Sequence, residues 1–194
     1  MLNYQAHGLR CGEITGSTAY YGWPTMIRSR RGELLVVASG REEHLCPFGR
    51  IELYRSSDNG IVWSGPTVPA DGRLDDRDPG LLETPAGTLL VSWCTSIAWL
   101  DLWELPGNGG NPERRAELAR QITLDDLWRE RGVWMIRSAD HGASWSSPYR
   151  VPVFTPHGPM VMADGTLGCI GLEASADATG HISGGSWLGV PAFA

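Results

Sequence analysis

The chain has 194 residues, of which 42% are hydrophobic and 20% charged, a composition typical of a water-soluble globular domain. Its formal net charge of −6 argues against a broad nucleic-acid-binding surface. No stretch approaches the roughly 20 consecutive apolar residues of a membrane-spanning helix, so no membrane partner is expected.

The N-terminal segment lacks the pattern of an export signal. Residues 1–7 have no basic start followed by an apolar run, so the cytoplasm is the default location, with export as the alternative if the reading frame begins late. The cysteines are widely spaced and form no C-x-x-C pair, so they give no zinc signature and no dense disulfide framework; they are Cys11, Cys46, Cys94 and Cys169. No metal and no cofactor are expected. Single buried thiols are predicted, with one disulfide as the alternative in an exported protein.

Three segments share one hairpin pattern. Each has a short strand, a polar turn ending in glycine and a second apolar strand, and they span residues 23–37, 78–92 and 158–170. The 25 glycines and 13 prolines that separate short apolar runs also favour strands over helices. The apolar runs predict strands that are covered on both faces.

Two turns read S-x-D-x-G-x-x-W, at residues 56–63 and 138–145, and each follows a predicted strand. In such a turn the aspartate can accept backbone N–H bonds, the glycine takes a positive φ and the tryptophan folds back onto the core. The residues with these structural roles are Ser56, Asp58, Gly60 and Trp63 in the first turn and Ser138, Asp140, Gly142 and Trp145 in the second. We expect both tryptophans to be buried at the rim of the fold.

The repeating unit is three strands, a turn and a fourth strand, which is one propeller blade. The first two hairpin prolines are 55 residues apart and the next two 80, which predicts a helical insertion near residues 98–131, where Asn111-Pro112 begins a helix. A single partial domain over residues 1–194 is predicted, with blade 1 at about 20–70, blade 2 at about 75–152 and a partial blade 3 at about 156–194. Residues 184–194 show no blade pattern.

Over residues 20–173 these repeats resemble the sialidase (neuraminidase) family, whose β-propellers carry bacterial neuraminidase repeats, called BNR repeats, with Asp-box turns. The resemblance implies an all-β, sialidase-like β-propeller of about three blades and a carbohydrate substrate. Because family members have six or more blades, this chain reads as an incomplete and divergent copy. The open edges of its blades predict self-association.

The resemblance also suggests site residues. Sialidases carry an arginine in a Phe/Tyr-Arg-Ile-Pro motif at the start of the first hairpin, where this chain has Gly22. Arg41 matches the arginine that follows the second strand. The loop that holds the family's acid/base aspartate has no carboxylate here, at residues 45–49. The nearest titratable groups, Glu42, Glu43 and His44, are therefore the candidate catalytic residues.

The openings of the second and third hairpins supply further candidates. By the repeat they face the same mouth as the first, and with Arg41 the candidate substrate-binding residues are Asp76, Arg77, Asp78 and His157. We predict that Arg41, His44, Asp76, Arg77 and His157 border one pocket. The alternative is a set of solvated charged loops without function. His141, inside the second turn, is expected to be structural.

The leading interpretation is an exo-acting, sialidase-like glycoside hydrolase of the exo-α-sialidase type, which acts on a terminal sugar. An arginine in the site would favour an acidic sugar. One alternative is a non-catalytic carbohydrate-binding or interaction fragment. Another is a histidine-dependent propeller glycosidase or lyase of acidic polysaccharides. A truncated product without its own function is the third.

Overall fold

Three antiparallel sheets make up the chain in a computed structural model that describes residues 13–102, 110–173 and 185–190. The first sheet contains β1 (Tyr20–Arg28), β2 (Leu34–Arg41), β3 (Arg50–Ser56) and β4 (Ser64–Ala70). The second contains β5 (Asp75–Glu83), β6 (Leu89–Ser96), β7 (Gly132–Ser138) and β8 (Tyr149–Val151). The third contains β9 (Val153–Phe154), β10 (Met160–Val161), β11 (Leu167–Glu173) and β12 (Gly185–Val190). The all-β class and the four-stranded unit predicted from the repeats are confirmed.

The third sheet differs from the prediction at the tail. β12 pairs with β11 from Leu167↔Val190 to Leu172↔Gly185, although this segment carries no blade pattern. β11, its pairing partner, lies about one hairpin upstream, so β12 is stabilised by pairing with β11 and not by an apolar alternation of its own. Residues 175–180, which resemble a third turn with one residue too many, lie outside the described residues.

Apolar side chains on facing sheets form the core. Between the first two sheets lie Leu35, Val37, Ile51, Leu53, Leu81, Leu89, Val91, Trp93 and Ile136, all at most 5% exposed. A second cluster joins the second sheet to the third through Leu90, Val133, Met135, Val151 and Leu167. Cys46, Cys94 and Cys169 are buried free thiols, as expected for single cysteines, while Cys11 lies outside the described residues.

The insertion is helical, as predicted, and comprises α1 (Trp99–Leu102), α2 (Pro112–Gln121) and α3 (Leu124–Glu130). Asn111 caps α2, since its side-chain oxygen accepts the backbone N–H groups of Glu113 and Arg114 at 3.0 Å each. The helices share a small core with the sheet loops, formed by Leu74, Trp99, Leu118 and Leu127. None of the helices in the described ranges is long and apolar enough to span a membrane.

The antiparallel order gives each sheet two distinct ends. At the mouth end β1 and β5 begin, β2 and β6 end, and the helical insertion leaves the second sheet. At the turn end lie the two S-x-D-x-G-x-x-W turns, which connect β3 to β4 and β7 to β8.

The two S-x-D-x-G-x-x-W turns share the hydrogen bonds of their serine. In the first, Ser56 Oγ donates to Asp58 Oδ1 at 2.8 Å and accepts the Gly60 N–H at 2.8 Å. In the second, Ser138 Oγ does the same with Asp140 at 2.7 Å and Gly142 at 2.7 Å. Backbone N–H groups reach both carboxylates. Hydrogen bonds, chiefly from the Val62 N–H to Asp58 and from the Ser144 hydroxyl to Asp140, hold the pKa of each aspartate below its ordinary value.

Trp63 and Trp145 are half-buried, which corrects the expectation that both are buried. Trp63 folds back over its own turn, where its indole N–H donates to the Gly60 carbonyl at 3.2 Å. Trp145 packs against the core between the first two sheets. A turn at the rim can cover only one side of its tryptophan, and the other side stays open to solvent.

His141 links the first two sheets at the turn end. Its Nε2 contacts the Glu33 carboxylate, and its backbone carbonyl accepts a bond from Arg55 at 2.7 Å. These contacts fit the structural role predicted for His141.

Candidate functional site

The first strand of each sheet is interrupted at the same place near the mouth end. In β1 the pairing moves from Gly22↔Ser39 to Thr25↔Val37, and Trp23 in the bulge has a φ of 53°. In β5 it moves from Arg77↔Cys94 to Gly80↔Ser92, and Asp78 has a φ of 52°. His157, between β9 and β10, has a φ of 65°. Non-glycine residues at positive φ are uncommon, and bulges often redirect side chains beside functional sites.

Half-buried Trp23 is the centre of a mouth cluster, which consists of Tyr20, Trp23, Arg41, His44, Asp75 and Arg77. The guanidinium carbons of Arg41 and Arg77 lie 4.8 Å and 4.3 Å from the centre of the Trp23 ring. The His44 ring lies 5.3 Å from the same indole. Cation–π attraction favours this arrangement, which collects two cations and an imidazole around one aromatic ring.

A buried ion pair supports the cluster from below. Arg41 Nη1 lies 2.7 Å from Asp75 Oδ1, and both side chains are 0% exposed. Arg77 Nη1 lies 3.3 Å from the other Asp75 oxygen, and the Arg77 side chain retains 11% exposure. Burial raises the pKa of Asp75 to about 6, against the opposing attraction of Arg41 and Arg77. Burial likewise lowers the pKa of Arg41. Arg41 is therefore a supporting group, and Arg77 is the arginine that a ligand can reach.

His44 and Tyr20 form an exposed pair at the edge of the cluster. The Tyr20 hydroxyl lies 2.9 Å from His44 Nδ1, and the two rings meet edge to face. When the phenol oxygen accepts from Nδ1–H, the protonated ring can give its Nε2 proton to a bound substrate, and the neutral ring can take up a proton at Nε2. This pair can therefore act as an acid or a base.

Asp78 brings an unpaired acceptor to the same region. Its Oδ2 lies 3.7 Å from Arg77 Nε, while its Oδ1 is buried without a hydrogen-bond partner among the residues that the structure describes. A buried acceptor without a donor is costly, so a ligand hydroxyl or a water molecule would be stabilised there.

The carboxylate of Asp76 points away from the mouth cluster, contrary to our prediction of one shared pocket. Its oxygens accept the Thr95 hydroxyl at 2.6 Å and the Gly72 N–H at 2.7 Å. Side chains alternate along a strand, so Asp75 and Arg77 share one face of β5 and Asp76 faces the other way. Only the backbone oxygen of Asp76 approaches the cluster, where it accepts from Arg41 at 3.1 Å.

Glu42 and Glu43 bind the helical insertion. The Glu43 carboxylate accepts the Gly110 N–H at 3.0 Å. The Glu42 carboxylate accepts the Asn111 N–H and pairs with Arg114. Both predicted catalytic carboxylates thus have partners outside the mouth cluster, because the insertion returns over the loop that follows β2.

The backbone of His157 lies beside the backbone of Asp78. Its N–H donates to the Asp78 carbonyl at 3.2 Å, and the residue is exposed. The approach requires glycine on the partner strand, because a Cβ added at Gly80 would lie 2.5 Å from the Cα of Gly158. The structure therefore brings the opening of the third sheet to the edge of the cluster.

Sequence reasoning missed Tyr20, Trp23 and Asp75 as site residues. The period of two along β5 would have paired Asp75 with Arg77, and Trp23 already stood at the hairpin opening that lacks the family arginine. The structure places Arg77 two residues before a proline, the same position that Gly22 occupies in the first sheet. Among the described residues, no group of His, Cys, Asp or Glu side chains is arranged to hold a metal ion.

Comparison with known proteins supports the fold. No protein-family model and no curated protein sequence matches this chain. A protein of unknown function from Dyadobacter fermentans superimposes with a TM-score of 0.55 at 16% identity, covering 78% of this chain and 46% of its own. The NanB sialidase from Streptococcus pneumoniae gives 0.59 at 12% identity, covering 93% and 46%. The intramolecular trans-sialidase from Ruminococcus gnavus gives 0.57 at 12% identity, covering 93% and 63%.

These similarities concern the fold alone. The chain spans less than two thirds of each of these three structures. Together with the three sheets, they establish a sialidase-like β-propeller fold, of which this chain forms a part with a helical insertion.

Proposed function

We propose that the mouth cluster binds a terminal acidic sugar and that the chain is part of a sialidase-like, exo-acting glycoside hydrolase. The observation that carries this proposal is the convergence of Arg77 and His44 on Trp23. An arginine beside an aromatic face suits a sugar carboxylate next to an apolar ring surface. The structural similarity to sialidases supports it at the level of the fold.

Each residue of the cluster has a proposed role. Arg77 contacts the sugar carboxylate, and Arg41 and Asp75 hold Arg77 and Trp23 in place from the buried side. Trp23 stacks on the sugar ring, while Asp78 Oδ1 accepts a hydrogen bond from one of the sugar's hydroxyl groups. His44 donates a proton to the glycosidic oxygen as the bond to the anomeric carbon breaks, and the attacking water leaves its hydroxyl on that carbon and gives its other proton back to His44.

The Tyr20–His44 pair favours a second candidate, a histidine-dependent glycosidase or lyase of acidic polysaccharides. In a lyase the imidazole would remove the proton beside a uronate carboxylate, and the nearby arginine would stabilise the resulting charge. The leaving sugar oxygen would then depart as a double bond forms in the ring.

A turnover assay separates these functions. The chain would be incubated with a fluorogenic N-acetylneuraminic acid glycoside and, separately, with polygalacturonate and alginate. Release of the fluorophore supports the hydrolase, and unsaturated uronate products support the lyase. Binding of sialyllactose without turnover of any substrate would support the non-catalytic carbohydrate-binding module.

His44→Ala tests the assignment of the acid. It should reduce turnover at least about 100-fold, the usual contribution of a positioned acid or base, without changing the unfolding midpoint. Arg120→Ala, an exposed arginine of α2, is the matched control and should retain full turnover. Unchanged turnover in His44→Ala would remove this residue from the mechanism.

A further inference from the structure

A concave site lies between the first two sheets, on the face of β5 opposite the mouth cluster. This Trp93–Trp134 cleft has a volume of about 360 Å³ and is formed by the end of β4, strands β5 to β7 and the end of α3. Small-molecule sites typically begin at about 300 Å³, so the cleft can hold a compact ligand.

Two tryptophans form one wall of the cleft. Trp93 and Trp134 are directly opposite one another on β6 and β7, so both indoles project from the same face of the sheet. Trp93 is 4% exposed, whereas Trp134 is half-buried. The Trp134 indole N–H donates to the Glu130 carbonyl at 2.9 Å, and the Arg150 guanidinium lies 4.5 Å from the ring centre. The indole is thus fixed in orientation before any ligand arrives.

Hydrogen-bonding groups form the next row. Asp76 on β5 and Thr95 on β6 are register partners, and Thr95 lies two residues after Trp93 on β6. Their side chains are hydrogen-bonded at 2.6 Å. Opposite Thr95 stands Gly132, where an added Cβ would lie 2.8 Å from Arg150 Nη1. Burial raises the pKa of Asp76 to about 7, so its carboxyl group can donate or accept a hydrogen bond near neutral pH.

The charge of the cleft differs from that of the mouth cluster. Three acidic residues line it, namely Asp71, Asp76 and Glu130, together with one arginine, Arg73. Arg73 is engaged with Glu130 and with Asp126, the latter at 3.3 Å. An anionic sugar would therefore meet nearby carboxylates, which disfavours it electrostatically.

We propose that the Trp93–Trp134 cleft is a second saccharide site, which takes a neutral pyranose. The Trp134 indole stacks on the apolar C–H face of the ring, and Asp76 and Thr95 bond its hydroxyl groups. This site uses no side chain of the mouth cluster, so it stands whether or not the mouth is catalytic.

Nuclear magnetic resonance of the indole N–H groups tests the proposal on the intact chain. The probes are the methyl glycosides of galactose, glucose and N-acetylglucosamine, each added up to about 100 mM, far above a millimolar Kd. At least one glycoside should shift the Trp134 signal with saturation, and the sodium salt of N-acetylneuraminic acid should not. Trp134→Phe assigns the signal and, with the Kd then read from the Trp93 signal, should weaken binding up to about tenfold, because phenylalanine offers a smaller stacking surface.

Two further variants keep the test decisive. Asp76→Asn should weaken binding of the same glycoside, whereas Trp128→Phe, on the exposed face of α3, should leave the Kd unchanged. If no glycoside shifts the Trp134 signal, or if Trp134→Phe and Asp76→Asn both retain the wild-type Kd, the cleft is not a sugar site. A glycoside that shifts only the Trp23 signal would also overturn the proposal.

Discussion

The turn end and the mouth end of the first two sheets differ in what they repeat. At the turn end the motif side chains repeat one for one, and Ser56 bonds Asp58 and Gly60 as Ser138 bonds Asp140 and Gly142. At the mouth end only the backbone repeats. The bulge and its positive φ recur, but they carry Trp23 in one sheet and Asp78 in the next.

This difference separates two demands on the sequence. A turn that closes on its own backbone N–H groups accepts few side chains, so its residues recur in both described copies. A bulge needs only a backbone conformation, which leaves its side chains available for chemistry. Side chains that repeat between the sheets therefore mark the residues that build the fold. Side chains that differ where the backbone conformation repeats mark the candidate site.

The largest expected effect concerns the buried ion pair at the mouth end. Asp75→Ala would leave the fully buried Arg41 without its carboxylate, and should lower the free energy of unfolding by about 3–5 kcal/mol at pH 8. Urea unfolding measures the loss. Asp58→Ala, which removes a half-buried carboxylate at the turn end, should have a smaller effect, and an equal loss in both variants would contradict this difference between the two ends.

The pH dependence of stability should reveal Asp76. Its pKa is raised from an ordinary 3.8 to about 7, so the folded state binds more protons than the unfolded state between these values. The contribution of Asp76 is greatest below pH 4 and is lost as the pH rises to 7, by at most about 4 kcal/mol. Asp76→Asn should lack this decline, so the difference in stability between wild type and variant should change with pH. A pH-independent difference in urea midpoints would contradict the assignment.

The two turn tryptophans should differ in how much each contributes to stability. Trp145→Ala should cost about 2 kcal/mol, roughly half the value for a fully buried tryptophan, because its ring packs on the core between the sheets. Trp63→Ala should cost less, about 1 kcal/mol, because Trp63 covers mainly its own turn. Thermal unfolding of the two variants checks the order, and the reverse order would be inconsistent with the packing described above.

The smallest effect is expected for the carboxylates that bind the insertion. The double variant Glu42→Ala, Glu43→Ala should change the free energy of unfolding by less than about 1 kcal/mol, because these bonds are largely solvent-exposed. Limited proteolysis should nevertheless cut residues 110–131 faster than in the wild type. Glu117→Ala, on the exposed face of α2, serves as the control, and equal cleavage rates in both would argue against anchoring.

Local patterns account for what could be predicted from sequence. The hairpins, the turns and the Asn111 cap each lie within a few residues, so their geometry can be inferred without the rest of the chain. β12 could not be predicted, because its ladder with β11 is its main stabilisation. The partners of Glu42 and Glu43 lie 67 or more residues away on the insertion, beyond any local rule. The choice of Asp76 over Asp75 was avoidable, since strand alternation decides it.

Binding of an acidic sugar at the mouth cluster tests the central claim most directly. N-acetylneuraminic acid would be titrated into the wild type, Arg77→Ala, Arg77→Lys and Arg120→Ala, with the Trp23 indole signal as the readout. The account predicts a saturable shift in the wild type and in Arg120→Ala, about tenfold weaker binding in Arg77→Ala, and an intermediate Kd in Arg77→Lys. No shift of the Trp23 signal, or the same Kd in the folded Arg77→Ala variant as in the wild type, would contradict it.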